Sequence, residues 1–114
     1  MLSGMGHPHE RAFYRVVFPR FLRPNLRIGN ESYPVVDLSE HGVRFMSPLG
    51  GGDLPIGARI VGVIHLPTEQ PVDVEGIVVR RVGNEVAVAL ARGVPFGVML
   101  DQQRFLQQRV LGFR

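Results

Sequence analysis

Five residues in two short stretches carry the side chains best suited to holding a charged, ring-bearing ligand. Arg11 and Arg15 stand four apart in Arg11-Ala12-Phe13-Tyr14-Arg15, just before the first apolar run. Asp37, Ser39 and Gly42 follow in Asp37-Leu38-Ser39-Glu40-His41-Gly42. A guanidinium offers a planar fork of N–H donors that grips phosphate oxygens in pairs, and its face stacks on aromatic rings. It also matches the O6 and N7 acceptors of guanine. An ionised carboxylate only accepts hydrogen bonds, which suits a ligand edge that presents N–H groups, and a hydroxyl beside it donates or accepts. Gly42 is expected to supply a positive φ, or a close backbone approach, where the chain turns into the next strand.

Taken singly, both patterns are weak. All thirteen basic residues are arginine, so two arginines four apart arise about once by chance, and Arg23 with Arg27 is a second instance. An Asp-Ser turn closed by glycine accounts for the second stretch on its own. That pattern is nevertheless rare, roughly one chance in sixty at this composition. The two in this order within one small domain resemble the signature of the PilZ family, bacterial receptor domains for cyclic di-GMP. The resemblance runs from about Glu10 to the end of the chain. It implies a six-stranded antiparallel β-barrel with the ligand held against its outside, and it assigns ligand contacts to Arg11, Arg15, Asp37, Ser39 and Gly42. Many members carry further arginines beside the first motif arginine. Here the neighbours are Glu10 and Ala12, which leaves less charge to hold a second, stacked ligand.

The elements that would position these groups are mostly strands. Short apolar runs occupy 16–18, 26–28, 33–38, 42–46, 59–66, 72–81 and 85–90, separated by turn chemistry such as Gly29-Asn30, Pro67-Thr68 and Gly83-Asn84. This spacing predicts an antiparallel barrel or sandwich. In the run from Val72 the apolar phase slips across Gly76, which predicts a bulge there. Strand alternation puts Val36 and Leu38 in the core and Asp37 and Ser39 on the outer surface, roughly 7 Å apart. Arg11 and Arg15 precede any predicted strand, so they are expected on a segment free to fold across the barrel. The period changes at the end. Leu106, Val110 and Phe113 recur at helical spacing, which predicts a helix over 101–113 with Asp101 as its N-cap. Residues 1–9 read as a flexible tail and 10–114 as a single domain.

The remaining features are mainly exclusions. At 114 residues and 45% apolar content the chain suits one globular core. No run approaches the ~20 apolar residues of a membrane helix, and residues 1–10 lack the apolar stretch of a signal peptide. With no cysteine, disulfides and thiolate metal sites are excluded, and a cytoplasmic setting is expected. A net charge of +3 is too small and too dispersed to argue for duplex DNA. His7, His9, His41 and His65 form no metal-ligand spacing with an acid cluster. Gly50-Gly51-Gly52 lacks the lysine of a phosphate loop, and no nucleophile–base set is present, so no enzyme is expected. Arg80 and Arg81 are within reach of the same ligand, although a solvated strand end is the commoner role for such a pair.

The reading is a receptor for cyclic di-GMP, with no cofactor, whose surface changes on binding to regulate a partner protein. One alternative is an adaptor of the same fold that no longer binds nucleotide. Another is a barrel for single-stranded nucleic acid, against which stand the absence of Trp and only seven Phe and two Tyr.

Overall fold

The computed structural model describes residues 15–47, 54–67 and 70–111. Seven strands and a helix follow in chain order: β1 Arg15–Val17, β2 Asn25–Ile28, β3 Glu31–Ser39, β4 Gly42–Met46, β5 Arg59–His65, β6 Val72–Val82, β7 Glu85–Arg92 and α1 Phe96–Leu111. All pairings are antiparallel. Six strands close in the cyclic order β3–β2–β5–β6–β7–β4, and β1 lies outside the ring on β3. The expected six-stranded barrel with a terminal helix is therefore what the chain forms. Closure removes the exposed edges that an open sheet of this size would present.

Alternation along each strand fills the interior. Leu26, Val35, Leu38, Phe45, Ile60, Ile64, Val74, Val78, Val86 and Val88 are all buried in one cluster. Glycines occur where strands crowd. A Cβ on Gly76 would lie 2.1 Å from the Ala89 carbonyl oxygen, so only glycine lets β6 bend against β7 there. The pairing of β6 with β7 shifts register between Glu75 and Gly76, as the slipped apolar phase predicts, and again between Val78 and Arg80. The hairpin turns at Gly29-Asn30 and Gly83-Asn84 are present, each with its glycine at positive φ.

Three expectations change. Arg15 does not precede the strands: it opens β1 and pairs with Ser39. The cause is the length of β3. Its first half, 31–34, is covered by β2, which leaves the edge of 37–39 open for Arg15-Val16-Val17 to join. The helix begins at Phe96 rather than Asp101, because Pro95 supplies a fixed φ and its carbonyl accepts the first helical bond, from Met99 N–H at 3.1 Å. Asp101 thus lies within the helix and pairs with Arg104 at 3.7 Å. The buried stripe is Met99, Gln102 and Leu106, on the same side of the helix as the predicted Leu106–Val110 stripe, but it includes Gln102, and Val110 further along it is exposed. It packs on β1 and β3. Residues 1–9, Arg11 and Phe113 lie outside the described residues. Among the described residues no helix is long and apolar enough to cross a membrane.

Candidate functional site

Asp37 is the centre of the site, and the β3–β4 hairpin positions it. Two residues, Glu40 and His41, separate the strands, so Leu38 faces Val43 and Asp37 faces Arg44. Beyond this the register shifts, leaving Val36 as an extra residue, and Val35 through Leu38 are all buried. Asp37 does project from the barrel's outer face, but it is not exposed: only 6% of its side chain meets solvent. Arg44 covers it, donating from Nε to Asp37 Oδ2 at 2.8 Å and from Nη2 to the same oxygen. Arg15 Nη1 stands 3.8 Å from that oxygen, reaching diagonally across β1. The other arm of Arg44, Nη1, donates to Glu85 Oε1 at 3.2 Å.

A buried carboxylate requires compensation of this kind, since leaving it unpaired costs about 1–3 kcal/mol or more. The hydrogen bond to Asp37 pushes the Arg44 pKa above its ordinary value against the opposing effect of burial, and the charges of Asp37 and Glu85 add to it. Arg44 is therefore a cation at every working pH.

Ser39 and Gly42 shape the turn beside this pair. Ser39 Oγ donates to the Gly42 carbonyl at 3.4 Å and accepts from His41 N–H at 3.3 Å, a local hydroxyl-closed turn. Gly42 does not take a positive φ. Nor is it a close approach, for a Cβ there would meet the Val88 carbonyl oxygen at 3.4 Å and Ser39 Oγ at 3.6 Å, ordinary contact distances. The turn is held from behind by Leu90 N–H, which donates to the His41 carbonyl at 2.8 Å, and by Gly93, whose Cβ would clash with the Glu40 carbonyl oxygen.

Arg15, Asp37, Ser39 and Gly42 thus line a single depression of about 120 Å³, together with Arg44 and Arg80. Arg11 lies outside the described residues. A second depression of about 220 Å³ adjoins the first, sharing Arg44, Arg80 and Ala87 in its lining and adding Glu85 and Val82. The two arginines meet through the register: Arg44 faces Ala87 on β7, and Ala87 faces Arg80 on β6. Two strand spacings put their backbones about 10 Å apart, with only a methyl group between them. Arg80 therefore belongs to the site, whereas Arg81 lines neither depression.

Arg44 is the residue that sequence reasoning missed. Its signal was available, because a two-residue hairpin loop between positions 39 and 42 pairs 37 with 44. The arrangement offers cations for phosphate oxygens, a fixed carboxylate for N–H donors, and a shallow floor of small residues between them.

The PilZ domain family model matches residues 9–111. The fold is similar to that of the inhibitor of motility from Bacillus subtilis, with a TM-score of 0.59 at 18% identity over 90% of this chain and 52% of that one. This chain therefore spans about half the length of the Bacillus protein. A Legionella protein described as uncharacterized is similar at a TM-score of 0.56 and 17% identity, over 85% of this chain and 98% of that one. No curated protein matches the sequence.

Proposed function

The chain belongs to the PilZ domain family, a family of receptor and adaptor domains rather than enzymes, and on that premise we propose that it is a cytoplasmic, bacterial receptor for cyclic di-GMP. The observation that carries this reading is convergence. Arg15 from β1, Asp37 and Ser39 from β3, and Gly42 from β4 line one depression. In this reading Arg11 and Arg15 hold phosphate oxygens and stack on guanine. Asp37 accepts from guanine N1–H and the amino group. A carboxylate has about four acceptor positions, so the bonds from Arg44 to Oδ2 leave capacity for this. Ser39 and Gly42 keep the turn low enough for the base to approach. No cofactor takes part.

Arg15 is already joined to the Asp37–Gly42 face through β1, so binding would add contacts from Arg11 and Arg15 to the ligand on that face. Because α1 rests on β1 and β3, the strands that carry Arg15 and Asp37, it is the element best placed to pass the change to a partner protein.

One observation favours the alternative of an adaptor without nucleotide. Asp37, Arg44 and Glu85 already form a chain of internal pairs that neutralises much of the site. Calorimetry with cyclic di-GMP, GMP and a short single-stranded oligonucleotide separates the readings. Saturable binding of cyclic di-GMP, much tighter than GMP, supports the receptor. No heat with any of the three favours the adaptor, and binding of the oligonucleotide alone favours a nucleic-acid barrel.

A further inference from the structure

Glu85 is an acid in a place where a receptor for a doubly charged anion has no evident use for one. It stands at the start of β7, two residues from Ala87 and therefore on the same outer face. It lines the depression it shares with Arg44 and Arg80, and its Oε1 accepts from Arg44 Nη1 at 3.2 Å. Nη1 is the nitrogen of Arg44 that makes no bond to Asp37, since Nε and Nη2 both serve Asp37 Oδ2. Glu85 therefore takes one of the outward-facing donors of the most central cation in the site.

The two carboxylates on Arg44 differ in what holds them. Asp37 is buried, receives two bonds from one guanidinium and has Arg15 nearby, so its removal would leave a cation partly stranded. Glu85 is 38% exposed and holds Arg44 by one bond. An exposed pair of this kind is weak and readily exchanged for water or another anion. A phosphate supplies the same chemistry with more oxygens, and a guanidinium fork accommodates it in pairs.

We propose that Glu85 is an internal stand-in for a ligand phosphate: it occupies an outward side of Arg44, competes there with a phosphate when cyclic di-GMP binds, and so sets the affinity of the site. Arg44 and Arg80, on either side of Ala87, then receive the displaced charge as further phosphate contacts. This rests on the cyclic di-GMP reading above and adds to it an affinity-setting residue outside both sequence motifs. Displacement carries two costs of the same sign. The ligand must break the bond between Glu85 and Arg44, and after exchange a free carboxylate stays close to a bis-phosphate.

The test is calorimetry of cyclic di-GMP binding to the whole chain and to Glu85→Gln, with Glu75→Gln as a matched control. Glu75 is also 38% exposed and paired to an arginine, Arg59, but lines a different groove, so it changes net charge equally without touching this site. Glu85→Gln is expected to tighten binding about three- to tenfold, and Glu75→Gln to change it less than about twofold, since exposed charges beyond a Debye length of ~8–10 Å are screened. Thermal melts of all three proteins confirm that each is folded. Binding by Glu85→Gln where the unmodified protein shows none also supports the proposal. Equal affinity in the unmodified protein and Glu85→Gln, or equal tightening by both substitutions, overturns it and leaves the receptor reading standing. Absence of binding in every folded protein overturns both.

Discussion

A depression of about 430 Å³ over β2, β5, β6 and the end of β7 is lined by Arg27, Asp73, Glu75 and Arg92, while the one around Asp37 measures about 120 Å³. Size alone would favour the groove. In the larger groove the charged groups stand apart on exposed strand faces; its ion pair, Arg59 with Glu75, leaves the arginine side chain 71% exposed. Around Asp37 the charges interlock on a carboxylate withdrawn from solvent, and three strands contribute cations to one spot. An exposed pair is screened and contributes little, whereas a buried carboxylate fixes the direction of every donor that must satisfy it. What distinguishes the site is this fixed convergence of polar groups.

The largest expected effect is on stability. Asp37→Ala should lower the unfolding free energy by about 2–3 kcal/mol, since a charge-assisted bond is lost and Arg44 keeps only its exposed partner. The cost stays below that of a fully buried pair because Arg44 is 37% exposed. Glu75→Ala should cost about 0–1 kcal/mol. Urea unfolding of both variants measures the contrast; equal losses would remove the distinction between the two regions.

Next in size is binding. Arg15→Ala should weaken cyclic di-GMP about 10- to 100-fold, the range of one lost charge-assisted contact, with the fold intact because the side chain is 59% exposed. Arg15→Lys should also bind poorly, for it restores the charge but not the fork. Full affinity in a folded Arg15→Ala protein would end the role assigned to this residue.

Discrimination between bases comes third. Cyclic di-AMP should bind at least about tenfold more weakly, because adenine presents no donors where guanine has N1–H and its amino group. Asp37→Asn should narrow that ratio. Similar affinities of the two dinucleotides for the unmodified protein would mean that Asp37 is purely the counter-ion of Arg44.

The smallest effect sharpens the contrast from the other side. Arg92→Ala removes a cation from the larger groove and should change cyclic di-GMP affinity by less than about twofold, by screened long-range attraction alone. A loss comparable to that of Arg15→Ala would move the binding surface to the groove.

Much of this was legible in the chain. Alternation and turn residues locate the strands, because both are consequences of local backbone geometry. The slip at Gly76 announces the bulge for the same reason. The motif residues Asp37, Ser39 and Gly42 are neighbours in sequence, so a single hairpin suffices to bring them together, and loop length alone pairs Asp37 with Arg44. Local pattern was less informative where burial depended on distant elements. Gln102 was placed off the inward face of α1 because it is polar, yet it lies against the barrel beside Leu106, and the exposure of Asp37 was overstated because its cover comes from β1 and β4.

The sequence by itself determined the order of the strands and the outward place of Asp37 and Ser39 on one of them, since strand period is a property of short runs, and its motifs resemble those of the PilZ family. Only the tertiary structure decided which cations share the site. Arg80 lies far along the chain from Arg44 and reaches it because the barrel closes in the order β6–β7–β4, aligning Arg80, Ala87 and Arg44 in one cross-strand row. Closure and register are set by the summed packing of all six strands, and no short stretch of sequence contains that information.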